Sequence, residues 1–495
     1  MKRTIYNIVF LVTVFITGIS CSKDYLETSP TDAVKDEFAV ATTASAFSSL
    51  NGMHRSMYMQ YSSQDQCGEG SLMIFRDMLG EDLVMTAAGN GWWNAAYQWL
   101  THRNVNATQL YFDYRFYYKI IGNANVIIAN IDNATGPDSD KKMIKAQALT
   151  YRAWAHFNLV QLFGKRYDAN NKPNTQLGVP LMIEISTEGL PRATVEDVYT
   201  QINLDLDDAI TNFEAGAVNR KNKSHLNVSV AKGLKARVAL TMQDWETAAR
   251  YAAEARSSYT LMSNAEYVSG FNNYTNPEWM WGSHVIEDQT TYFYSFFAYM
   301  SVNFSSTNIR GNPKAINSKL YRLIPLTDVR KQLWDSTGKA FTFLPSAFAK
   351  KAYMNKKFQA AGESDSRGDV PYMRVAEMFL IESEAKARLG DPTATDVLYT
   401  LVKNRYAGYV KSTKTGQDLI DEILIQRRIE LWGEGFRFLD LKRLNLPLDR
   451  TGSNHSATLT NNLLTVPADD IRWQFLFPQA EINANPAMKD QQNPL

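Results

Sequence analysis

A short segment rich in tryptophan is the first part of the chain whose side chains could bind a ligand. Trp92, Trp93, Asn94 and Tyr97 follow directly after Gly91. Two adjacent tryptophans cannot easily face one core, so we expect at least one of Trp92 and Trp93 to be exposed. An exposed aromatic ring offers a flat apolar surface. Such rings beside an amide suit a sugar, which presents apolar C–H faces and a rim of hydroxyls.

A second aromatic segment, far away in sequence, supplies Tyr292 and Tyr294 within a polar loop. Trp279 and Trp281 precede it and share one face of a predicted strand. Core packing remains the alternative for any single tryptophan, because large aromatic residues are mostly buried. We predict that the two segments converge on one ligand, with aromatic rings stacking on sugar faces and an amide bonding hydroxyls. The predicted site comprises Trp92, Trp93, Asn94, Tyr97, Tyr292 and Tyr294.

The sequence lacks the common catalytic constellations. It contains no Walker loop, no G-x-S-x-G and no H-E-x-x-H. The six histidines are too scattered to form a local metal pair, although distant ones could converge. Glu377 and Glu384 share a predicted helix face and resemble a glycosidase pair only superficially. We expect these carboxylates to form ion pairs. Arg427 and Arg428 are the expected partners. We therefore predict no catalytic residue, no metal ligand and no cofactor.

The composition indicates a folded protein of balanced charge. The chain has 495 residues, of which 45% are hydrophobic and 12% aromatic, and 52 Lys and Arg oppose 51 Asp and Glu, for a net charge of +1. A general nucleic-acid-binding protein carries a marked excess of positive charge. The composition therefore argues against nucleic acid as a partner.

The first residues are typical of an export signal. A basic start precedes the apolar residues 5–19, a stretch too short to span a bilayer, and small residues lead up to Cys21. The position of Cys21 resembles the lipobox of bacterial lipoproteins. We predict a lipoprotein signal peptide over residues 1–20, lipidation of Cys21 and a flexible tether over residues 21–36. A membrane anchor that stays attached is the alternative. Cys67 is the remaining thiol, and we expect it to be packed rather than reactive.

The rest of the chain is patterned mostly as pairs of helices. Apolar residues recur at helical spacing between residues 141 and 164, and Thr194 with Asp197 forms a capping box at the start of another helix. A turn at Gln243 and Asp244 joins two further helices in the manner of a degenerate tetratricopeptide repeat. Residues 270–371 instead predict loops and short strands. Comparable helices are predicted at residues 111–130, 373–389 and 418–432.

Four stretches of the chain resemble the SusD/RagB family of bacterial surface lipoproteins. They are residues 146–164 with 178–181, residues 192–206, residues 374–390 with 426–443, and residues 477–494. Their order covers nearly the whole mature chain. The family tends to carry apolar core residues where Trp279 and Trp281 stand, so the resemblance implies that both are buried. The resemblance implies a mostly all-α fold, the SusD-like α-α superhelix of degenerate tetratricopeptide-type helix pairs with a loop-rich, short-strand region. It also implies an N-terminal region over residues 37–270 and a C-terminal region over residues 271–495, packed together as one body.

The resemblance further implies a role in nutrient uptake. Proteins of this family are anchored by lipid to the outer membrane, face the outside and serve a SusC-like TonB-dependent transporter. We therefore expect a surface-exposed glycan-binding lipoprotein that captures oligo- or polysaccharide for such a transporter without catalysing a reaction. Peptide capture on the same scaffold, which the RagB branch of the resemblance implies, stays open as the alternative.

Overall fold

A computed structural model describes residues 39–495 of the chain. The predicted signal peptide, Cys21 and the tether of residues 21–36 lie outside the described residues. The described part is mostly helical with little strand, which confirms the predicted fold class. None of its helices is both long and apolar enough to cross a membrane.

The described residues form 17 α-helices. In chain order they are α1 Thr43–Ser56, α2 Glu69–Leu79, α3 Asn94–Tyr97, α4 Thr108–Asn130, α5 Asp138–Phe163, α6 Val195–Gly216, α7 Val228–Met242, α8 Trp245–Arg256, α9 Asn264–Tyr267, α10 Phe297–Met300, α11 Thr307–Gly311, α12 Ser318–Arg322, α13 Val375–Arg388, α14 Ala394–Arg405, α15 Gly416–Glu430, α16 Arg437–Arg443 and α17 Gln479–Ala484.

The strands are short, and four of the ten in the described residues lie wholly within residues 270–371, where loops and short strands are predicted. They are β1 Leu83–Met85, β2 Leu177–Pro180, β3 Arg192–Thr194, β4 Trp279–Gly282, β5 Lys314–Ile316, β6 Trp334–Asp335, β7 Met354–Asn355, β8 Pro371–Arg374, β9 Leu448–Asp449 and β10 Thr465–Val466. One antiparallel sheet has the order β1-β5-β7-β6. It joins β1, just before the tryptophan segment, to β5, which follows the second aromatic segment. In this way the sheet connects two distant parts of the chain.

The long helices pack side by side in chain order. α4 contacts α5, α5 contacts α6, α6 contacts α7 and α7 contacts α8. The row continues across the loop-rich region, because α8 packs on α13, which in turn contacts α14 and α15. Each helix buries its apolar side by packing against the neighbouring helices, as in tetratricopeptide-type repeats.

Local sequence signals explain where several helices begin. The Thr194 hydroxyl accepts a hydrogen bond from the Asp197 N–H at 3.1 Å, and α6 begins at Val195. Gln243 has a left-handed φ of 62° at the end of α7, and the Asp244 carboxylate then caps α8. These contacts confirm the predicted capping box and the predicted turn.

Candidate functional site

The segment that carries Trp92 is held in place by Asn312. The Asn312 side-chain oxygen accepts the backbone N–H groups of Thr86 at 3.0 Å and Ala87 at 3.1 Å. Gly89 has a φ of 55°, and a Cβ built there would lie 3.3 Å from the Cβ of Asn312. The close approach and the positive φ both favour glycine at this position. Asn312 thus positions the loop that leads to Trp92.

The two adjacent tryptophans have different environments. Trp93 is 6% exposed, and its ring centroid lies 5.5 Å from that of Tyr299 and 6.5 Å from that of Phe75. Trp92 is half-buried, with its ring edge-on to Tyr299 at 6.2 Å. Burial therefore assigns Trp93 to core packing, while part of the Trp92 ring remains available to a ligand.

Tyr97 belongs to the core rather than to a ligand surface. The side chain is fully buried, and the Arg450 guanidinium lies 4.5 Å from the centre of its ring. The hydroxyl contacts the Nδ1 atom of His455, and the two rings stack. Burial raises the pKa of Tyr97 to about 12, so the hydroxyl stays protonated. Asn94, which begins α3, is half-buried.

The second aromatic segment is more exposed than the first. Tyr292 is 62% exposed and has a φ of 47°, and its carbonyl accepts a hydrogen bond from the Ser366 hydroxyl. Tyr294 is half-buried. Phe293, between them, is 45% exposed and packs edge-on to Phe304, with ring centroids 5.8 Å apart. Sequence reasoning chose the two tyrosines and missed this phenylalanine.

The two aromatic segments meet at an open cavity of about 330 Å³. Asn90, two residues before Trp92, and Phe293 from the second segment both line it, together with Tyr299. Trp92 lies beside the cavity through its contact with Tyr299. Tyr292 and Tyr294 are chain neighbours of Phe293 and do not line the cavity themselves. We call this space the aromatic cavity.

The wall of the aromatic cavity contains polar groups without partners. Among residues 39–495, neither the Tyr299 hydroxyl nor either amide atom of Asn308 has a hydrogen-bond partner, although these atoms are buried. A buried polar group left unsatisfied costs about 1–3 kcal/mol. These atoms have almost no accessible surface, so hydroxyl groups of a bound ligand or of water would reach them only after a small movement of the cavity wall. Asn308 lies in a run of polar residues, and no local signal distinguishes it from its neighbours.

A second open cavity, of about 390 Å³, has a polar wall in which several side chains are paired. Lys442 lines it and donates to the carbonyl oxygens of Gln161 at 2.6 Å and Gly164 at 2.8 Å, at the end of α5. Asp470 receives two hydrogen bonds from the Arg472 guanidinium. These pairings hold the chain in place, although the Arg166 Nε atom in the same wall is buried without a hydrogen-bond partner among the described residues.

The carboxylates that resemble a glycosidase pair take part in separate ion pairs. Arg237 on α7 donates to both oxygens of Glu377 at 2.6 Å each. Glu384 accepts two hydrogen bonds from Arg443 at 2.8 Å each and is further paired with Arg388. The positive charges of these arginines hold the pKa of Glu384 below its usual value despite burial. The predicted ion pairing is confirmed for both carboxylates.

The predicted partners of those carboxylates, Arg427 and Arg428, form ion pairs with other residues. Arg427 instead donates to Asp440 at 2.8 Å, and Arg428 donates to Asp82 at 3.1 Å. Both arginines are therefore held in ion pairs that do not include Glu377 or Glu384. The helix spacing indicated that the carboxylates face a neighbouring helix, but it could not identify which arginines that neighbour provides.

The remaining residues that the sequence singled out are packed in the core. Trp279 and Trp281 are buried, as predicted. Burial raises the pKa of the Cys67 thiol, which therefore stays protonated and unreactive. His54 and His225 do converge, with stacked rings 4.4 Å apart. Still, within residues 39–495 no three His, Cys, Asp or Glu side chains form a group that could hold a metal ion.

Two family models match the chain. Residues 24–240 match a family described as starch-binding and associating with the outer membrane. Residues 291–495 match the SusD family. No curated protein matches the chain.

Solved structures share the fold over nearly the whole chain. A SusD-like carbohydrate binding protein from Bacteroides vulgatus is 25% identical, with a TM-score of 0.80 over 92% of this chain and 99% of that one. A SusD superfamily protein from Bacteroides thetaiotaomicron is 26% identical, with a TM-score of 0.76 over 92% and 100% of the two chains. A laminarin binding SusD-like protein is 20% identical, with a TM-score of 0.69 over 92% and 99%, and shares the fold. By these matches, the chain belongs to the SusD/RagB family.

Proposed function

We propose that the protein is a cell-surface lipoprotein that binds a glycan and delivers it to a SusC-like TonB-dependent outer-membrane transporter. The aromatic cavity is the observation that carries this proposal. It combines exposed aromatic surface at its edge with buried hydroxyl and amide groups that lack partners. A sugar needs both features, because its rings are apolar on their faces and polar around their rim.

The exposed rings would supply most of the binding energy. Phe293 lines the cavity and Trp92 lies beside it, each with part of its surface exposed, and Tyr292 extends the aromatic surface beyond it. A volume of about 330 Å³ is at the lower end of the range of small-molecule pockets. The cavity would therefore hold a short part of a chain, and the rest of a longer glycan would lie on the surrounding surface.

The six predicted residues take two different roles in this proposal. Trp92, Asn94, Tyr292 and Tyr294 remain candidates for ligand contact, because each has some exposed surface. Trp93 and Tyr97 are buried, and they would act by holding the first segment in position. Tyr299 and Asn308 join the site as donors and acceptors for sugar hydroxyls.

The membrane location and the transporter are supported by the family and by the start of the sequence. The matched family associates with the outer membrane, and Cys21 follows an apolar segment of the type found in lipoproteins. Several acyl chains on one cysteine would anchor the protein stably without a spanning helix. Co-purification from outer membranes in mild detergent tests the partnership. Recovery of the protein without any TonB-dependent channel would contradict it.

A glycan array, run beside a panel of peptides, tests the ligand class. The array should include laminarin, because one protein of this fold binds it. We expect the purified protein to bind glycans, and we expect Trp92→Ala to weaken that binding. Tyr111→Ala is a matched control, because Tyr111 is an exposed aromatic residue that does not line the aromatic cavity. Binding to peptides alone would contradict glycan capture and support the peptide alternative.

A further inference from the structure

The aromatic cavity contains one charged side chain that has no partner. Arg310 lines the cavity and is only partly exposed. Elsewhere in residues 39–495, arginines of this degree of burial are usually paired, as Arg237 is with Glu377 and Arg256 with Glu382. The guanidinium of Arg310 makes no ion pair and no side-chain hydrogen bond with any described residue. Its charge is thus balanced by no other side chain of the described residues.

The lining of the cavity provides no negative charge to balance Arg310. Its polar members are serine, threonine, asparagine and glutamine side chains and the Tyr299 hydroxyl, without an Asp or Glu. Asp65 follows the lining residue Gln64 in the chain, but its own side chain does not line the cavity. The residues that line the aromatic cavity therefore include one positively charged side chain and no negatively charged one.

Neutral donors stand close to this positive charge along the chain. Ser306 and Thr307 line the cavity, as does Asn308, whose buried amide has no partner within the described residues. Arginine binds carboxylate and sulfate-type groups through parallel N–H bonds, and charge-assisted bonds of this kind are about twice as strong as neutral ones. A neutral sugar would use the amide and the hydroxyls but would leave the guanidinium without a counter-charge.

We propose that the aromatic cavity selects glycans that carry a negatively charged group, either a carboxylate or a sulfate, which binds to Arg310. This inference rests on the proposed glycan-binding function and narrows its ligand class. The aromatic rings would contact the sugar faces, Asn308 would bond a neighbouring hydroxyl or anionic oxygen, and Arg310 would bind the charge. Because the cation is partly exposed, the preference should weaken as salt concentration rises.

Matched pairs of glycans test the proposal. One pair is an oligogalacturonide and its methyl ester, in which each charged carboxylate is replaced by a neutral ester that carries one extra methyl group. The other pair is a laminarin oligosaccharide with and without sulfate. These pairs are placed on an array with other charged and neutral glycans, and the affinities of bound members are then measured by titration calorimetry. The responding pair distinguishes a carboxylate ligand from a sulfate ligand.

We expect the wild-type protein to bind a charged member about tenfold or more tightly than its neutral counterpart. Arg310→Gln should lower the affinity for the charged member to about that for the neutral member, and Arg310→Lys should keep part of the preference. Arg322→Gln is the control for net charge, because Arg322 is exposed and does not line the cavity. Melting temperatures of all variants show whether each is folded.

Three results would overturn the proposal in distinguishable ways. Binding of neutral glycans only would refute the charged ligand class while the proposed glycan-binding function stands. An equal loss of affinity for both members of a pair in Arg310→Gln would show that Arg310 supports the fold rather than recognising charge. Binding of no glycan at all would refute the proposed function and this inference together.

Discussion

Replacing Trp92 and Trp93 one at a time separates ligand binding from core packing. Trp93 is 6% exposed and packs against Phe75 and Tyr299. Truncation of a buried tryptophan to alanine costs about 3–5 kcal/mol of unfolding free energy. Trp92 is half-buried, so Trp92→Ala should destabilise the protein by less than Trp93→Ala. These two adjacent residues therefore provide a comparison within one segment.

The same substitutions should affect affinity in the opposite order. An aromatic ring lost from a stacking surface costs about 1–3 kcal/mol of binding free energy by analogy with stacking on nucleic acid bases. This corresponds to a roughly tenfold to hundredfold loss of affinity for Trp92→Ala. Trp93→Ala should weaken glycan binding only to the extent that it displaces Trp92.

The assay combines two measurements on each variant. Denaturant unfolding gives the loss of stability, and titration calorimetry with the glycan bound most strongly on the array gives the loss of affinity. Trp281→Ala is the control, because Trp281 is 2% exposed and does not line the aromatic cavity, so only stability should fall. The reasoning is refuted if Trp92→Ala keeps full affinity, or if it loses binding only in proportion to its unfolding.

Three further substitutions test other parts of the account. Asn312→Ala leaves the backbone N–H groups of Thr86 and Ala87 unpaired, so it should lower the unfolding free energy by about 1–3 kcal/mol. Hydrogen exchange of these two groups should become faster. Unchanged exchange would show that Asn312 does not hold the segment. Burial lowers the pKa of His156 to about 3, while an unfolded histidine titrates near 6.5. Below pH 6.5 the unfolded state therefore binds more protons than the folded state. As the pH falls further, the unfolding free energy of the wild type should decrease relative to that of His156→Leu by about 1.4 kcal/mol per pH unit. Parallel pH curves of the two proteins would contradict this. Cys21→Ala should release the protein from the membrane fraction, and an unchanged membrane fraction would refute lipid anchoring.

The helical body could be predicted from sequence because its signals are local. The capping box at Thr194 and the turn at Gln243 each depend on residues within a few positions of one another. The regular spacing of apolar residues in α5 likewise indicates a helix that packs against its neighbours along its whole length. Such patterns can be recognised without knowing which distant segment packs against them.

The candidate site could be predicted only in part because its contacts join distant residues. Tyr97 lies close to an exposed segment, but its environment is provided by Arg450, which is far away in the chain. Likewise, Trp93 is covered by Tyr299. Asn308 has the same composition signal as many loop residues, and only the folded chain shows that its amide is buried without a partner. Aromatic content identified both segments but not which rings remain exposed.

A crystal structure of the protein with the glycan bound most strongly on the array tests glycan capture at the aromatic cavity most directly. The account predicts a sugar in the space between Asn90 and Phe293, with one ring in van der Waals contact with Trp92 and a hydroxyl or anionic oxygen bonded to Asn308 or Arg310. A glycan bound in the cavity beside Lys442, with the aromatic cavity empty, would contradict it.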